Sequence, residues 1–264
     1  MVWSCLVSIL PGMAQTEKLT DYVNPFVGTD GYGNVYPGAQ IPFGGIQISP
    51  DTDSRFYDAA SGYKYNHLTL MGFSLTHLSG TGIPDLGDFL FIPGTGEMKL
   101  EPGTHEDPDQ GYRSRYSHDK EWASPNYYAV ELADYGVKAE MTSGVRSGMF
   151  RFTYPESDNA FIMIDMNHTL WQSCEWSNLR MINDSTITGY KLVKGWGPER
   201  HVYFTATFSK KLTGLRFVQD KKPVIYNTSR FRSSYEAWGK NLMACISFDT
   251  KAGEEVTVKT AISA

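Results

Sequence analysis

Hydrophobic and polar residues alternate along the second half of the chain. Apolar side chains recur with a period of two in four runs: Tyr128-Val130-Leu132, Phe150-Phe152-Tyr154, Val202-Phe204-Ala206-Phe208 and Val256-Val258-Ile262. This period is typical of strands with one buried face. Segments rich in turn-forming residues, such as Asp134-Tyr135-Gly136 and Lys251-Ala252-Gly253, separate such runs. The pattern predicts an antiparallel β-sandwich.

The first third of the chain follows a different pattern. Residues 21–93 are dense in Gly, Pro, Asn, Asp and Tyr, interrupted by short apolar runs such as Ile46-Gln47-Ile48. Loops of this length inside a compact domain are usually functional. Helix is scarce, and the best candidate is Ser233 to Leu242. We therefore expect an all-β, loop-rich domain with little helix.

The two ends of the sequence suggest processing and a domain boundary. Residues 1–15 are apolar and end in small residues, which predicts a residual secretory signal segment that lacks the usual positive charge. A single domain over residues 16–264 is expected to follow. Ala264 comes directly after a strand-like run, as expected for a boundary within a longer polypeptide. The signal segment predicts a periplasmic or extracellular protein.

The composition of the chain bears on which classes of ligand it can bind. The net charge of −5, with scattered Lys and Arg, disfavours nucleic-acid binding. The 16 Tyr and 6 Trp could stack on sugars, although such rings more commonly fill a core. The three cysteines, Cys5, Cys174 and Cys245, show no CxxC spacing, and whether the last two pair is left open.

Two polar, glycine-rich segments carry the candidate chemistry. Residues 24–39 contain Thr29 and Asp30, and residues 72–88 contain His77, Thr81 and Asp85. Glycines allow the backbone to approach a ligand, and these side chains offer donors and acceptors for sugar hydroxyls. An equally good interpretation is that the glycines only form turns. A histidine such as His77 is, in isolation, more often a structural residue than a ligand.

At these segments the chain closely resembles the N-terminal domain of glycoside hydrolase family 92, the calcium-dependent α-mannosidases. The resemblance is carried by the runs Val23 to Thr52, Ser61 to Tyr65 and Gly72 to Pro93, and it continues through Tyr116 to Thr142 and Arg146 to Pro155. The resemblance implies an antiparallel β-supersandwich of the galactose mutarotase type, packed on a catalytic (α/α)6 barrel that would follow Ala264.

The resemblance also implies that the catalytic residues and the pocket-shaping loops belong to different domains. The complete enzyme would be a secreted, inverting exo-α-mannosidase that acts on mannose-containing glycans. Its catalytic acid, catalytic base and most calcium ligands would lie in the barrel, which leaves the isolated domain inactive. The domain would supply pocket-shaping loops, and Tyr57 occupies the place of a family tryptophan that contributes to the leaving-group subsite.

The predicted substrate-binding residues are therefore Thr29, Asp30, Tyr57, His77, Thr81 and Asp85. No metal ligand is assigned to this chain. Two other interpretations remain: a stand-alone carbohydrate-binding module that uses its aromatic surface, and an assembly domain whose loops contact only protein.

Overall fold

The computed structural model describes residues 17–54, 57–225 and 235–264. These residues form 18 strands, in chain order: β1 Ser49–Asp51, β2 Thr69–Leu70, β3 Gly72–Ser74, β4 Leu90–Thr95, β5 Ser114–Arg115, β6 Glu121–Ser124, β7 Tyr127–Leu132, β8 Val137–Ser143, β9 Ser147–Tyr154, β10 Ser157–Asp165, β11 Ser173–Asn183, β12 Thr186–Lys194, β13 Arg200–Phe208, β14 Gly214–Gln219, β15 Lys222–Pro223, β16 Glu236–Gly239, β17 Leu242–Thr250 and β18 Glu254–Ser263. Within the described ranges the helical segments are four short 3-10 turns, Leu19–Tyr22, Tyr57–Ala59, Pro108–Gln110 and His118–Lys120.

Nine strands form one large antiparallel sheet in the order β16-β11-β12-β13-β18-β9-β8-β7-β6. Its strands show the alternation seen in the sequence. In β12 the residues Ile187, Gly189, Lys191 and Val193 are buried, and the residues between them are partly exposed. One face of this sheet therefore packs in the core, and the other face points away from it.

Seven strands form the second sheet in the order β1-β3-β4-β10-β17-β14-β15, and β2 pairs with β5 separately. Strand β10 is buried at every position from Ala160 to Ile164, without alternation. One side of β10 belongs to the main core, and the other side belongs to a second apolar cluster that contains Phe161 and Met163. Both faces of β10 are therefore covered by apolar side chains, which explains its continuous apolar run.

The main core lies between the two large sheets. Phe91 of the seven-stranded sheet lies 4.9 Å from Phe150 of the nine-stranded sheet, measured between ring centroids. Phe73 contacts Phe150 at 6.5 Å. These tilted aromatic contacts join the sheets face to face, as in a sandwich. The antiparallel all-β sandwich predicted from the sequence is confirmed.

The helix predicted over Ser233 to Leu242 is wrong. Among the described residues of this segment, Glu236–Gly239 form strand β16, which pairs with Ser177–Arg180 of β11. Ala237 and Gly239 face the core while Trp238 is exposed, which is a strand period. Gly239 has a φ of +139° and Asn241 a φ of +55°, neither of which fits an α-helix.

Cys174 and Cys245, whose pairing was open, are both buried free thiols. Burial raises the pKa of Cys245 to about 11. The predicted signal segment and Cys5 lie outside the described residues. In the part that the structure describes, no helix has the length and apolar character needed to cross a membrane.

Candidate functional site

Segments that end or follow three strands of the seven-stranded sheet meet around a buried aspartate. Asp51, at the end of β1, accepts hydrogen bonds from the Nε2 atoms of His77 at 2.7 Å and His168 at 2.8 Å. His77 follows β3, and His168 follows β10. We call these three residues the Asp51 cluster. It ties together segments that are 26 and 117 residues apart in sequence.

The Asp51 cluster is a buried charge cluster rather than a solvent-facing site. Burial alone raises the pKa of Asp51, but the positive charges and hydrogen bonds of His77 and His168 outweigh it and hold the pKa well below its usual range. The second ring nitrogen of His77 lies 2.7 Å from the carbonyl oxygen of Gln47. Both ring nitrogens of His77 therefore lie within hydrogen-bonding distance of an oxygen, which fixes the orientation of the ring.

Gly62 allows the chain to pass close to this cluster. Its φ is +87°, in the left-handed region, and its carbonyl accepts a hydrogen bond from the Thr52 amide at 2.6 Å. A Cβ atom at this position would lie 2.1 Å from Oδ1 of Asp51. Glycine is thus required both by the backbone conformation and by the contact with Asp51.

A second buried group, the Asp88 cluster, lies beside the first. Asp88 contacts Lys191 at 3.0 Å and Arg200 at 2.6 Å, and it accepts a hydrogen bond from the Thr76 hydroxyl at 2.7 Å. Burial alone raises the pKa of Asp88, but the two cations and the hydrogen bonds hold it well below its usual range. Lys191 also donates to the carbonyl of His168 at 2.6 Å, which connects the two clusters.

Asp85 holds two surface loops together. Its Oδ1 accepts hydrogen bonds from the amide of Leu86, at 2.6 Å, and from the side chain of Gln172. Its Oδ2 accepts a long hydrogen bond from the backbone amide of Trp196, at 3.4 Å. Asp85 is itself buried, so it fixes the positions of the two neighbouring loops instead of projecting from the surface.

An exposed aromatic pair stands next to these loops. The rings of Tyr57 and Trp171 lie 5.3 Å apart at an angle of 51°, and each side chain is 56% exposed. Trp171 has a φ of +72°, which is unfavourable for a bulky residue. Such local strain clusters at functional sites because the surrounding structure must hold it in place. We refer to Tyr57, Asp85, Trp171, Gln172 and Trp196 as the loop site.

A cleft of about 840 Å³ opens beside the loop site. His168, Trp171 and Gln172 form part of its wall. The half-buried Asp165 also faces the cleft, and loss of hydration raises the pKa of its carboxyl group. The lining of the cleft also includes the polar residues Lys221, Lys240 and Asn241. A cleft with one aromatic edge and many hydrogen-bonding groups is suited to a polar ligand with apolar faces.

The other predicted site residues lie in two different settings. The Thr29 side chain is buried and donates to the carbonyl of Phe26 at 2.8 Å, within its own loop. Asp30 is exposed and accepts from the Gly31 amide, and Thr81 donates to the Ile83 carbonyl. His77 belongs to the Asp51 cluster. The structure thus brings Tyr57 and Asp85 into the loop site, and their contact with sugar stays a prediction, as it does for Thr29, Asp30, His77 and Thr81.

Sequence reasoning missed Asp51, His168, Trp171 and Gln172. The local sequence marks none of them strongly, because their partners are distant in the chain. Trp171 offered the best available signal, because it is an aromatic residue in the polar connection between β10 and β11. That connection holds both His168, which reaches Asp51, and Gln172, which reaches Asp85.

The described residues do not fit a calcium site. Calcium takes six to eight oxygen ligands. Across residues 17–54, 57–225 and 235–264 no group of three or more His, Cys, Asp or Glu could hold a metal ion. The buried carboxylates of Asp51 and Asp88 are already occupied by histidines and by Lys191 and Arg200. Calcium therefore stays an expectation about the rest of an enzyme.

Comparison with known proteins gives a consistent result. The family model described as the glycosyl hydrolase family 92 N-terminal domain matches residues 22–263, which is most of the chain. An uncharacterized secreted glycosidase from Arthroderma benhamiae is 30% identical over 139 residues, which is 52% of this chain and 17% of that protein.

Two solved structures share the fold. The family 92 glycosyl hydrolase ccman5 has a TM-score of 0.76 and 26% identity, over 92% of this chain and 32% of its own. The family 92 inverting mannosidase BT2199 from Bacteroides thetaiotaomicron has a TM-score of 0.75 and 25% identity, over 94% of this chain and 32% of its own. The chain thus spans about a third of the solved enzymes it resembles.

Proposed function

Because the chain belongs to glycosyl hydrolase family 92, as an N-terminal domain of that family, we propose that it forms one wall of the sugar pocket of an inverting exo-α-mannosidase. The wall is the loop site, and the reactive groups belong to a catalytic barrel of the same enzyme. The substrate is a mannose-containing glycan. One of the matched solved structures is named an inverting mannosidase, which supports this activity.

The exposed pair of Tyr57 and Trp171 is the observation that carries the proposal. Soluble domains usually bury such large rings, whereas Trp171 lines a polar cleft and Tyr57 packs against Trp171 in the open. The positively polarised C–H face of a pyranose can stack on the negative face of either ring. Tyr57 alone offers a smaller face than the family tryptophan whose place it takes, and Trp171 supplies an indole beside it.

We infer that the catalytic acid and base lie outside this wall. Inverting hydrolysis needs two carboxyl groups on opposite sides of the scissile bond, with room for a water molecule. Near the loop site, Asp51 and Asp88 are fully buried, and their oxygens are engaged by cations. Asp85 is engaged by Gln172 and by backbone amides. None of these three has a free oxygen to offer a sugar, which supports an acid and a base supplied by the barrel.

The two clusters have a positioning role in this proposal. They hold the loops after β3 and β10 rigid, so that Trp171 and Asp85 occupy fixed places in the loop site. A rigid wall is useful because misplacement of a sugar by about 1 Å can cost two orders of magnitude in rate. Secretion is part of the proposal as well, and a relative named as a secreted glycosidase supports it.

The test uses the complete enzyme and two substrates that differ in their leaving group. Trp171→Ala should lower kcat/KM for an α-linked mannobiose by roughly tenfold, since an aromatic stacking contact contributes about 1–1.5 kcal/mol. The kcat/KM for α-mannosyl fluoride, which has no leaving-group sugar, should stay unchanged. Trp122→Ala is the matched control, because Trp122 is a comparably exposed tryptophan on β6. An equal loss on both substrates, or no loss on mannobiose, would contradict the proposal.

A further inference from the structure

The nine-stranded sheet carries a distinctive row of side chains on its outward face. Trp238 of β16 lies opposite Asn178 of β11, which lies opposite Tyr190 of β12, which lies opposite Tyr203 of β13. Directly opposed residues share one face of an antiparallel sheet. The alternate residues of the same strands are buried in the main core, as Leu179, Ile187 and Val202 are. The row, which we call the aromatic row, therefore points away from the other sheet.

Two rings of the aromatic row are open to solvent, and the ring of Tyr190 is half-buried. Trp238 is 54% exposed and Tyr203 is 50% exposed. Tyr190 and Tyr203 lie 4.9 Å apart at an angle of 37°, so their faces form a shallow, curved floor. A groove of about 480 Å³ runs along this floor and ends against Trp238. No side chain of the loop site belongs to this groove.

Hydrogen-bonding groups are interleaved with the rings. The hydroxyl of Tyr190 is 2.9 Å from Nδ1 of the exposed His201. The amide of Asn178 donates to Oε1 of Glu236 at 3.2 Å, which places a carboxylate and an amide beside the indole of Trp238. The groove is lined by Asn178, Thr188, Gly189, Tyr190, Tyr203, Phe204 and Trp238, among which there is no charged side chain.

This chemistry matches one class of ligand. A polyanion would require Lys or Arg in the groove. The exposed members of the row are two amphipathic rings, each with a polar tip, and such rings suit a ligand that offers both apolar faces and hydrogen-bonding groups. A neutral sugar chain offers apolar C–H faces for the rings and hydroxyls for the amide, hydroxyl and imidazole groups.

We propose that the aromatic row binds a neutral oligosaccharide chain at a site separate from the loop site. The row crosses four adjacent strands, which are spaced about 4.8 Å apart, so it extends over roughly 14 Å. That length fits a short run of sugars rather than one ring. Such a site would hold a glycan to the enzyme while the catalytic pocket acts on a terminal residue. It goes beyond the proposed function and does not depend on turnover.

The test measures polysaccharide binding by the 264-residue chain itself. Soluble yeast α-mannan and a soluble mixed-linkage β-glucan are cast into native gels, and retardation of the chain gives the affinity. We expect retardation by at least one of them. Tyr203→Ala and Trp238→Ala should each weaken binding by roughly tenfold, which corresponds to one lost stacking contact of about 1–1.5 kcal/mol. Both residues are exposed on the outer face, and circular dichroism checks that the variants fold.

Matched controls distinguish the aromatic row from the loop site and from the rest of the sheet. Trp122→Ala, on the opposite edge of the same sheet, should bind the polysaccharide as the unaltered chain does. In a Trp171→Ala background, which removes the indole of the loop site, Tyr203→Ala and Trp238→Ala should still weaken binding by the same factor. Tyr190→Phe keeps the ring but removes its hydroxyl, and it should weaken binding by a few-fold.

The proposal is overturned if neither polysaccharide binds, if Tyr203→Ala and Trp238→Ala bind normally, or if Trp171→Ala alone abolishes binding. It is also overturned if the chain self-associates in sedimentation and Trp238→Ala abolishes that association.

Discussion

Among individual residues, the polar members of the glycine-rich segments are engaged more by buried partners than by solvent. His77 and Asp88 both lie in the segment over residues 72–88, and each sits in a buried charge cluster. The sequence could predict that this segment matters, because polar residues and glycines are concentrated there. It could not predict the partners, since His168 and Lys191 come from distant strands and loops. Only the fold brings these residues together.

Gly62 offers a direct test of the Asp51 cluster. Gly62→Ala should destabilise the chain by more than about 2 kcal/mol, because the new Cβ adds a clash with Asp51 to the cost of a left-handed backbone. The measurement is urea denaturation followed by circular dichroism. Gly253→Ala is the control, since Gly253 has a φ of +75° and open space around it. Equal losses in the two variants would show that the contact with Asp51 contributes nothing.

The depressed pKa values of Asp51 and Asp88 predict sensitivity to acid. Their folded pKa values lie below the ordinary value of about 3.9, so the ionised forms stabilise the fold above that pH. As the pH falls from about 5, the unfolded chain takes up protons first, and the free energy of unfolding should decrease. Urea midpoints at about pH 7, 5, 4 and 3 measure this decrease.

A paired variant tests whether the Asp88 cluster is responsible. Asp88→Asn alone should cost about 3–5 kcal/mol at neutral pH, because it leaves Lys191 buried without its partner. The double variant Asp88→Asn, Lys191→Met should recover part of that loss and show a shallower decline in acid. Stability that rises on acidification below about pH 5, or a double variant with the same decline, would contradict this role for Asp88.

Among the strands, those with one buried face and a period of two were predictable. Strands β7, β9, β13 and β18 lie where alternation placed them. Alternation does not identify β10, because both faces of this strand are buried and its sequence is a continuous apolar run. It also fails for β16, a four-residue strand too short to show a period. The Glu, Ala and Trp residues of β16 do not exclude helix, and pairing with β11 decides its structure.

Position within a sheet predicts how strongly each strand is protected. Strand β10 is flanked by β4 and β17 and covered on both faces, whereas β16 lies at the edge of the nine-stranded sheet. Amide hydrogen exchange should therefore be slowest at Ile162 to Ile164 and much faster at Glu236 to Gly239. Mass spectrometry of peptides from the exchanged chain measures this difference. Comparable exchange in the two strands would mean that burial on both faces gives β10 no added protection.

For the molecule as a whole, the fold and the family were both accessible from the sequence, and the site was accessible only in part. Long runs of family-like sequence cover the loops around the site, so the β-sandwich domain was predicted correctly. The aromatic pair was half predicted: Tyr57 came from the motif, but Trp171 reaches it from a loop that is distant in the chain. The aromatic row could not be predicted from the sequence, because the register of β11, β12, β13 and β16 is what brings its residues side by side.

We have proposed that this chain is a wall of a mannose pocket and has no reactive groups of its own. The sharpest experiment compares the rate of mannose release from an aryl α-mannoside, with calcium and with a chelator, by this chain, by the proposed catalytic barrel, and by the two combined. We expect no turnover by the chain alone and chelator-sensitive turnover only when both parts are present. Chelator-sensitive hydrolysis by the isolated 264-residue chain would show that the reactive groups lie in this domain after all.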